Sequence, residues 1–263
     1  MKRVQPPDVI LSCQASEYWE REFWESKQMP QAGDIFYSPE LGGEETNAIF
    51  VYIPAGTFFS TGVFKGEKPQ TKAVIIPKGF YIAKYPLTNG QYEYMTSRYR
   101  KGHRDNNYPH SKMTVTNFTR HIRNQLNNKY RLPTNEEWEY AARGGVGFKF
   151  VLPGSNNWEN VLPETCINNQ TLVGLRRPNT YGLNDMCGNV TEITRDANNQ
   201  YYHRDANCQT MEYLKSYGKS ITTIQKNNFF EKHAFSSIGK LSIYLPDRTT
   251  LSGIRLVYNG EVK

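Results

Sequence analysis

RLPTNEEWEYAARGG, residues 131–145, carries the most structural information in the chain. Thr134 and Glu137 have capping-box spacing, in which the threonine hydroxyl takes a backbone N–H and the glutamate reaches back to the cap. Pro133 stands just outside. Glu136 and Glu137 fall in the first turn, where the helix dipole favours negative charge. The pair Gly144-Gly145 closes the C-terminus, because glycine adopts the left-handed conformation at little cost. Trp138, Ala141 and Ala142 share one face, so the string predicts a short helix with one buried stripe.

Downstream stands PNTYGLNDMCGNVTE, residues 178–192. Pro178, Asn179, Gly182, Gly188 and Asn189 predict a tight loop, because proline fixes φ and Gly and Asn tolerate positive φ. Asp185 and Glu192 bracket exposed carbonyls, the ingredients of a hard-cation site.

Upstream, residues 49–53 read as a strand turned by Pro54-Ala55-Gly56, and Phe58-Phe59 resumes it. Residues 73–76 and 79–84 are further strands punctuated by Pro77. Thr88 and Gln91 form another capping box before a helix over about 90–98. Residues 98–112 are basic and irregular, and read as a solvated loop rather than a nucleic-acid site. Thr116 starts a helix with Phe118, Ile122 and Leu126 on one stripe. Residues 152–207 are rich in Asn, Gly, Pro and Ser and predict a loop-dominated half. Residues 256–258 read as a terminal strand. Residues 12–27 read as a helix, and 30–47 as a connector. This divides the chain into an N-terminal extension, 1–46, and a main domain, 47–263.

Composition bounds the function. The 263 residues are 38% hydrophobic and 22% charged, as in a folded globular protein. A net charge of +7 without a long basic block argues against nucleic acid as partner. No run approaches the ~18 apolar residues of a membrane span. Residues 9–11 are too short for a signal-peptide core, so synthesis in the cytoplasm is expected. Cys13, Cys166, Cys187 and Cys208 are widely spaced, without zinc-finger or CxxC spacing. No GxSxG elbow, P-loop or Rossmann fingerprint occurs.

Five strings in order resemble one family: YIPAGTF (52–58), KGFYIAKYPLTNGQYEYM (78–95), RLPTNEEWEYAARGG, PNTYGLNDMCGNVTE and GIRLV (253–257). They are similar to the formylglycine-generating enzyme, or sulfatase-modifying-factor, family over residues 47–259. The resemblance implies an α+β, loop-rich fold with little regular secondary structure, a complex variant of the C-type lectin-like fold. It also implies calcium held by the side chains of Asp185 and Glu192 and the carbonyls of Gly188 and Val190. The family's other calcium site is not expected: Asn168 matches a ligand position, but its acidic partner is missing.

The resemblance also bears on catalysis. Oxygen-dependent members hold copper on two cysteines near the C-terminus, and soft thiolates select Cu(I). This chain has no cysteine after Cys208. The family's Arg-Gly-Gly-Ser string is missing, and Thr191 stands where the family often has Trp. A related branch uses a histidine iron site, but His103, His110, His121, His203 and His233 show no such pattern. No copper and no catalytic residues are therefore expected. The expected role is a non-catalytic binding or structural module recognising a protein or glycan surface through residues 201–230 and 235–250. It would act as a homo-oligomer or within a larger assembly such as a phage particle or other delivered assembly. Trp19, Phe23 and Trp24 either pack on the chain's own domain or dock a partner. The alternative is a metal-dependent oxidoreductase, of the formylglycine-generating or iron-dependent sulfoxide-synthase type, with Cys187 and Cys208 as a displaced thiolate pair.

Overall fold

The computed structural model describes residues 30–60, 72–111, 120, 126–145, 170–176, 178–186, 189–190, 192–195, 201–204 and 253–259. The helix read at 12–27, the one read from Thr116 apart from Arg120 and Leu126, and residues 205–230 and 235–250 of the recognition loops lie outside the described residues.

In chain order come β1 (Ile35–Tyr37), a 3₁₀ turn (Pro39–Leu41), β2 (Ile49–Ile53), β3 (Gly56–Ser60), β4 (Lys72–Ile76) and β5 (Phe80–Ala83). Helix α1 (Asn89–Met95), β6 (Tyr130–Arg131) and helix α2 (Asn135–Arg143) follow. The last elements are β7 (Glu192–Arg195), β8 (Tyr201–Arg204), β9 (Gly253–Ile254) and β10 (Val257–Tyr258). The fold is a loop-rich α+β arrangement with short elements, as expected.

The main sheet has the order β1-β2-β5-β10-β6, all antiparallel. Successive strand residues point to opposite faces. On one face, Val51, Ile53, Phe80, Ile82 and Val257 join Trp138, Ala141 and Ala142 of α2. On the other, Phe50, Tyr81 and Ala83 join Leu41, Leu132 and Ile254. Both faces are covered, so β2 (IFVYI) and β5 (FYIA) carry apolar or aromatic residues at successive positions. β3 and β4 pair as a two-stranded ribbon, and β7 lies between antiparallel β8 and parallel β9.

The divide read at 46/47 falls inside this unit. β1 pairs with β2 through Ile35↔Val51 and Tyr37↔Ile49. Leu41 and Ser38 are buried, and the Ser38 hydroxyl meets the Tyr130 hydroxyl at 2.6 Å. Glycine and proline in 30–47 shape a turn that returns to the sheet, and its apolar residues Ile35, Phe36 and Leu41 enter the core.

Both capping boxes form. Thr88 accepts from Gln91 N and Thr134 from Glu137 N, and each N3 side chain returns to the cap backbone. α1 ends at Met95, short of the 98 expected, because Thr96 leaves helical geometry at φ −92°, ψ 12° and Ser97 takes a positive φ of 58°. Gly144 caps α2 at φ 68°, where any Cβ would also strike Thr180.

Candidate functional site

Helix α2 delivers Trp138 to the start of β7. Its indole Nε1 donates to Glu192 Oε2 at 2.6 Å, and both side chains are buried. Arg255, in the bend between β9 and β10, approaches the same carboxylate. Its Nε lies 3.1 Å from each Glu192 oxygen and its Nη2 2.9 Å from Oε1. Nη1 donates to the Ala83 and Lys84 carbonyls, and Nη2 to Asn184 O at 2.8 Å. Every guanidinium N–H therefore has a partner, with the side chain fully enclosed. The rigid donor fork ties β5, the 178–186 loop and β7 together.

The loop is fixed to α2 by Asn179. Its amide nitrogen donates to the Ala141 and Ala142 carbonyls, and its side-chain oxygen accepts from the Tyr181 and Leu183 N–H groups. The chain then turns through Asp185 at φ 55° and Asn189 at φ 64°. These are left-handed positions that Asn and Asp tolerate.

Asp185 is 6% exposed. Its Oδ2 accepts from Gly174 N at 2.7 Å, whereas Oδ1 is buried with no hydrogen-bond partner. Burial pushes its carboxyl above the usual range, and repulsion from Glu192 adds to this. The Gly174 N–H, Arg255 and Asn189 offset only part of the rise. Asn184 Oδ1 and Asn189 Nδ2 are also buried without partners. An unserved acceptor on a buried acid costs free energy until a donor or cation meets it.

Of the four residues read as calcium ligands, the structure describes Asp185, Val190 and Glu192; Gly188 lies outside the described residues. Asp185 and Glu192 are close enough to interact electrostatically. Glu192 accepts from Trp138 Nε1, from Arg255 Nη2 and from Arg255 Nε, the last shared between its two oxygens, so each oxygen already takes two contacts. Asp185 Oδ1 has its full capacity. Asp185 Oδ1 is the open carboxylate oxygen that a hard cation would meet, whereas a contact from Glu192 would share an oxygen that already takes two N–H bonds. Among the described residues no group of three or more His, Cys, Asp or Glu side chains is gathered for a metal.

All four cysteines lie outside the described residues, so the distance from Cys187 to Cys208 is not part of the described structure. His103 and His110 line a cleft beside α1, remote in sequence from Asp185 and Glu192. Sequence reading did not find the partners of Glu192. The one local signal was Arg255 inside the apolar string Ile254 to Val257, where an isolated charge demands a buried counter-charge.

This combination of sheet, capped helix and loop defines a formylglycine-generating-enzyme-like scaffold. The model of the sulfatase-modifying factor enzyme 1-like domain matches residues 38–259, and the chain belongs to that family. It is 42% identical over 77 residues to the inactive C-alpha-formylglycine-generating enzyme 2 of Bos taurus, which is 24% of this chain and 26% of that protein. It is 40% identical over 80 residues to the formylglycine-generating enzyme of Mycobacterium tuberculosis, again 24% and 26% of the two chains. The chain thus spans about a quarter of the length of these curated relatives. The fold is similar to that of PvdO from Pseudomonas aeruginosa, with a TM-score of 0.57 and 18% identity over 88% of this chain and 99% of that one. Among the described residues no helix is long and apolar enough to cross a membrane.

Proposed function

We propose that this chain is a non-catalytic binding or structural module on a formylglycine-generating-enzyme-like scaffold. The observation that carries it is the absence of cysteine after Cys208. The chemistry implied by the family needs two thiolates there to hold Cu(I). The scaffold strings are kept, and the similarity to an inactive family member is compatible with this role. The surface recognised would be protein or glycan, met by residues 201–230 and 235–250, with a homo-oligomer or larger assembly as setting. Calcium would sit at Asp185 and Glu192, with the Gly188 and Val190 carbonyls, as a structural ion that neutralises buried negative charge.

The second reading, a metal-dependent oxidoreductase, draws on the similarity to a formylglycine-generating enzyme. Metal analysis together with oxidation of a cysteine peptide, followed by mass spectrometry, separates the two. The module reading expects no copper or iron and an unaltered peptide. Stoichiometric copper or iron with peptide turnover overturns it.

A further inference from the structure

We propose that the cleft between α1 and residues 98–111 binds a small zwitterion of the amino-acid type. The basic stretch read as a solvated loop is stitched to α1. Asn89 N donates to Tyr108 O, Gly90 N to Asn106 O, and the Asn89 amide to Asp105 O. A Cβ at position 90 would lie 3.1 Å from Asn106, so the segment approaches the helix closely there. His110 stacks on Tyr92 with ring centroids 4.1 Å apart, and its Nδ1 meets Asn89 Oδ1 at 2.9 Å. The result is a shaped cleft of about 530 Å³, within the range of roughly 300–1,000 Å³ common for small-molecule sites.

Its charges are what select the ligand. Glu93, Arg98 and Arg100 all line the cleft. Glu93 Oε2 is buried without a hydrogen-bond partner, so it calls for a donor. Arg98 and Arg100 take part in no ion pair among the described residues and stay exposed at the mouth. A ligand carrying an ammonium for Glu93 and a carboxylate for the arginines satisfies both with charge-assisted bonds. A simple anion leaves Glu93 unserved, and a simple cation leaves the arginines unused. The proposal does not rest on the non-catalytic reading.

The test is isothermal titration of the full chain, in EDTA, with each common L-amino acid. The tightest is then compared with its N-acetyl and methyl-ester derivatives. The expected result is saturable one-to-one binding of the free amino acid, weakened about tenfold or more by either derivative. Glu93→Gln should weaken the amino acid about tenfold. So should the pair Arg98→Ala and Arg100→Ala, whose side chains are exposed and whose removal leaves the fold intact. No amino acid binding, equal binding of the derivatives, unchanged affinity in both variants, or saturable binding of N-acetylglucosamine in its place would overturn the proposal.

Discussion

Two buried acids seven positions apart are handled in opposite ways. Glu192 accepts from Trp138 and from Arg255 through both oxygens, and the guanidinium has all its own donors placed. Asp185 has one oxygen on the Gly174 N–H and the other on nothing. The first is a finished structural joint. The second is raised in pKa by burial, and its Oδ1 still lacks a partner. A fully served charge holds a fold together, and an under-served one marks the place where something from outside is accommodated.

The largest effect should come from breaking the joint. Removing one member of a buried pair typically costs about 3–5 kcal/mol, because the other charge is left unpaired. Arg255→Met is therefore expected to lose that much in urea unfolding. Arg255→Lys should recover little, since an ammonium cannot span Glu192 and the Ala83, Lys84 and Asn184 carbonyls together. The double variant Arg255→Met with Glu192→Leu should lose less than Arg255→Met alone. A double variant as damaged as the sum would show that the pair is not the source of the loss.

Calcium comes next. At a hundred times its Kd it should add about 2.7 kcal/mol to stability, since it binds the folded chain alone. Asp185→Ala should abolish the increment, and thermal melts with calcium and with EDTA read it directly. Identical melts of the unaltered protein in the two conditions would make Asp185 an ordinary turn residue.

Capping is smaller. Thr134→Ala removes a bond from Glu137 N and should cost about 1 kcal/mol in the same unfolding assay.

The smallest effect is at Glu40. Burial pushes its carboxyl up, but hydrogen bonds from Lys129, its own backbone and Tyr130 outweigh that and hold it below the ordinary 4.5. A depressed folded pKa stabilises above the unfolded value, and that contribution is lost as pH falls through the folded one. Glu40→Gln should therefore flatten the acid limb of stability below about pH 4.5. An unchanged limb would show that the contact with Lys129 is fully screened.

The readable parts of the chain were those written locally. Thr88 with Gln91, and Thr134 with Glu137, satisfy backbone donors three residues away, so the spacing alone discloses the cap. β2 has the bounds read for it, 49–53, and β5 falls within the strand read at 79–84. The Glu192–Arg255 pair spans 63 positions and has no local grammar. β1 was missed for a related reason. Its three residues sit among glycines and acids, and only pairing with β2 makes them a strand. The cleft beside α1 was hidden because Glu93, Arg98 and Arg100 each look like solvated surface until the 98–111 segment folds back onto the helix.

The order β5-β10-β6 has a consequence for biosynthesis. The strand between β5 and β6 is Val257–Tyr258, made more than a hundred residues after either neighbour. Its companion Arg255 closes the joint at Glu192 from the same late segment. The ribosome must therefore release residues 253–258 before the central sheet can close. Until then β5 and β6 are open edges, able to pair with other chains. Synthesis halted before Gly253 should leave a chain that aggregates rather than a smaller folded one.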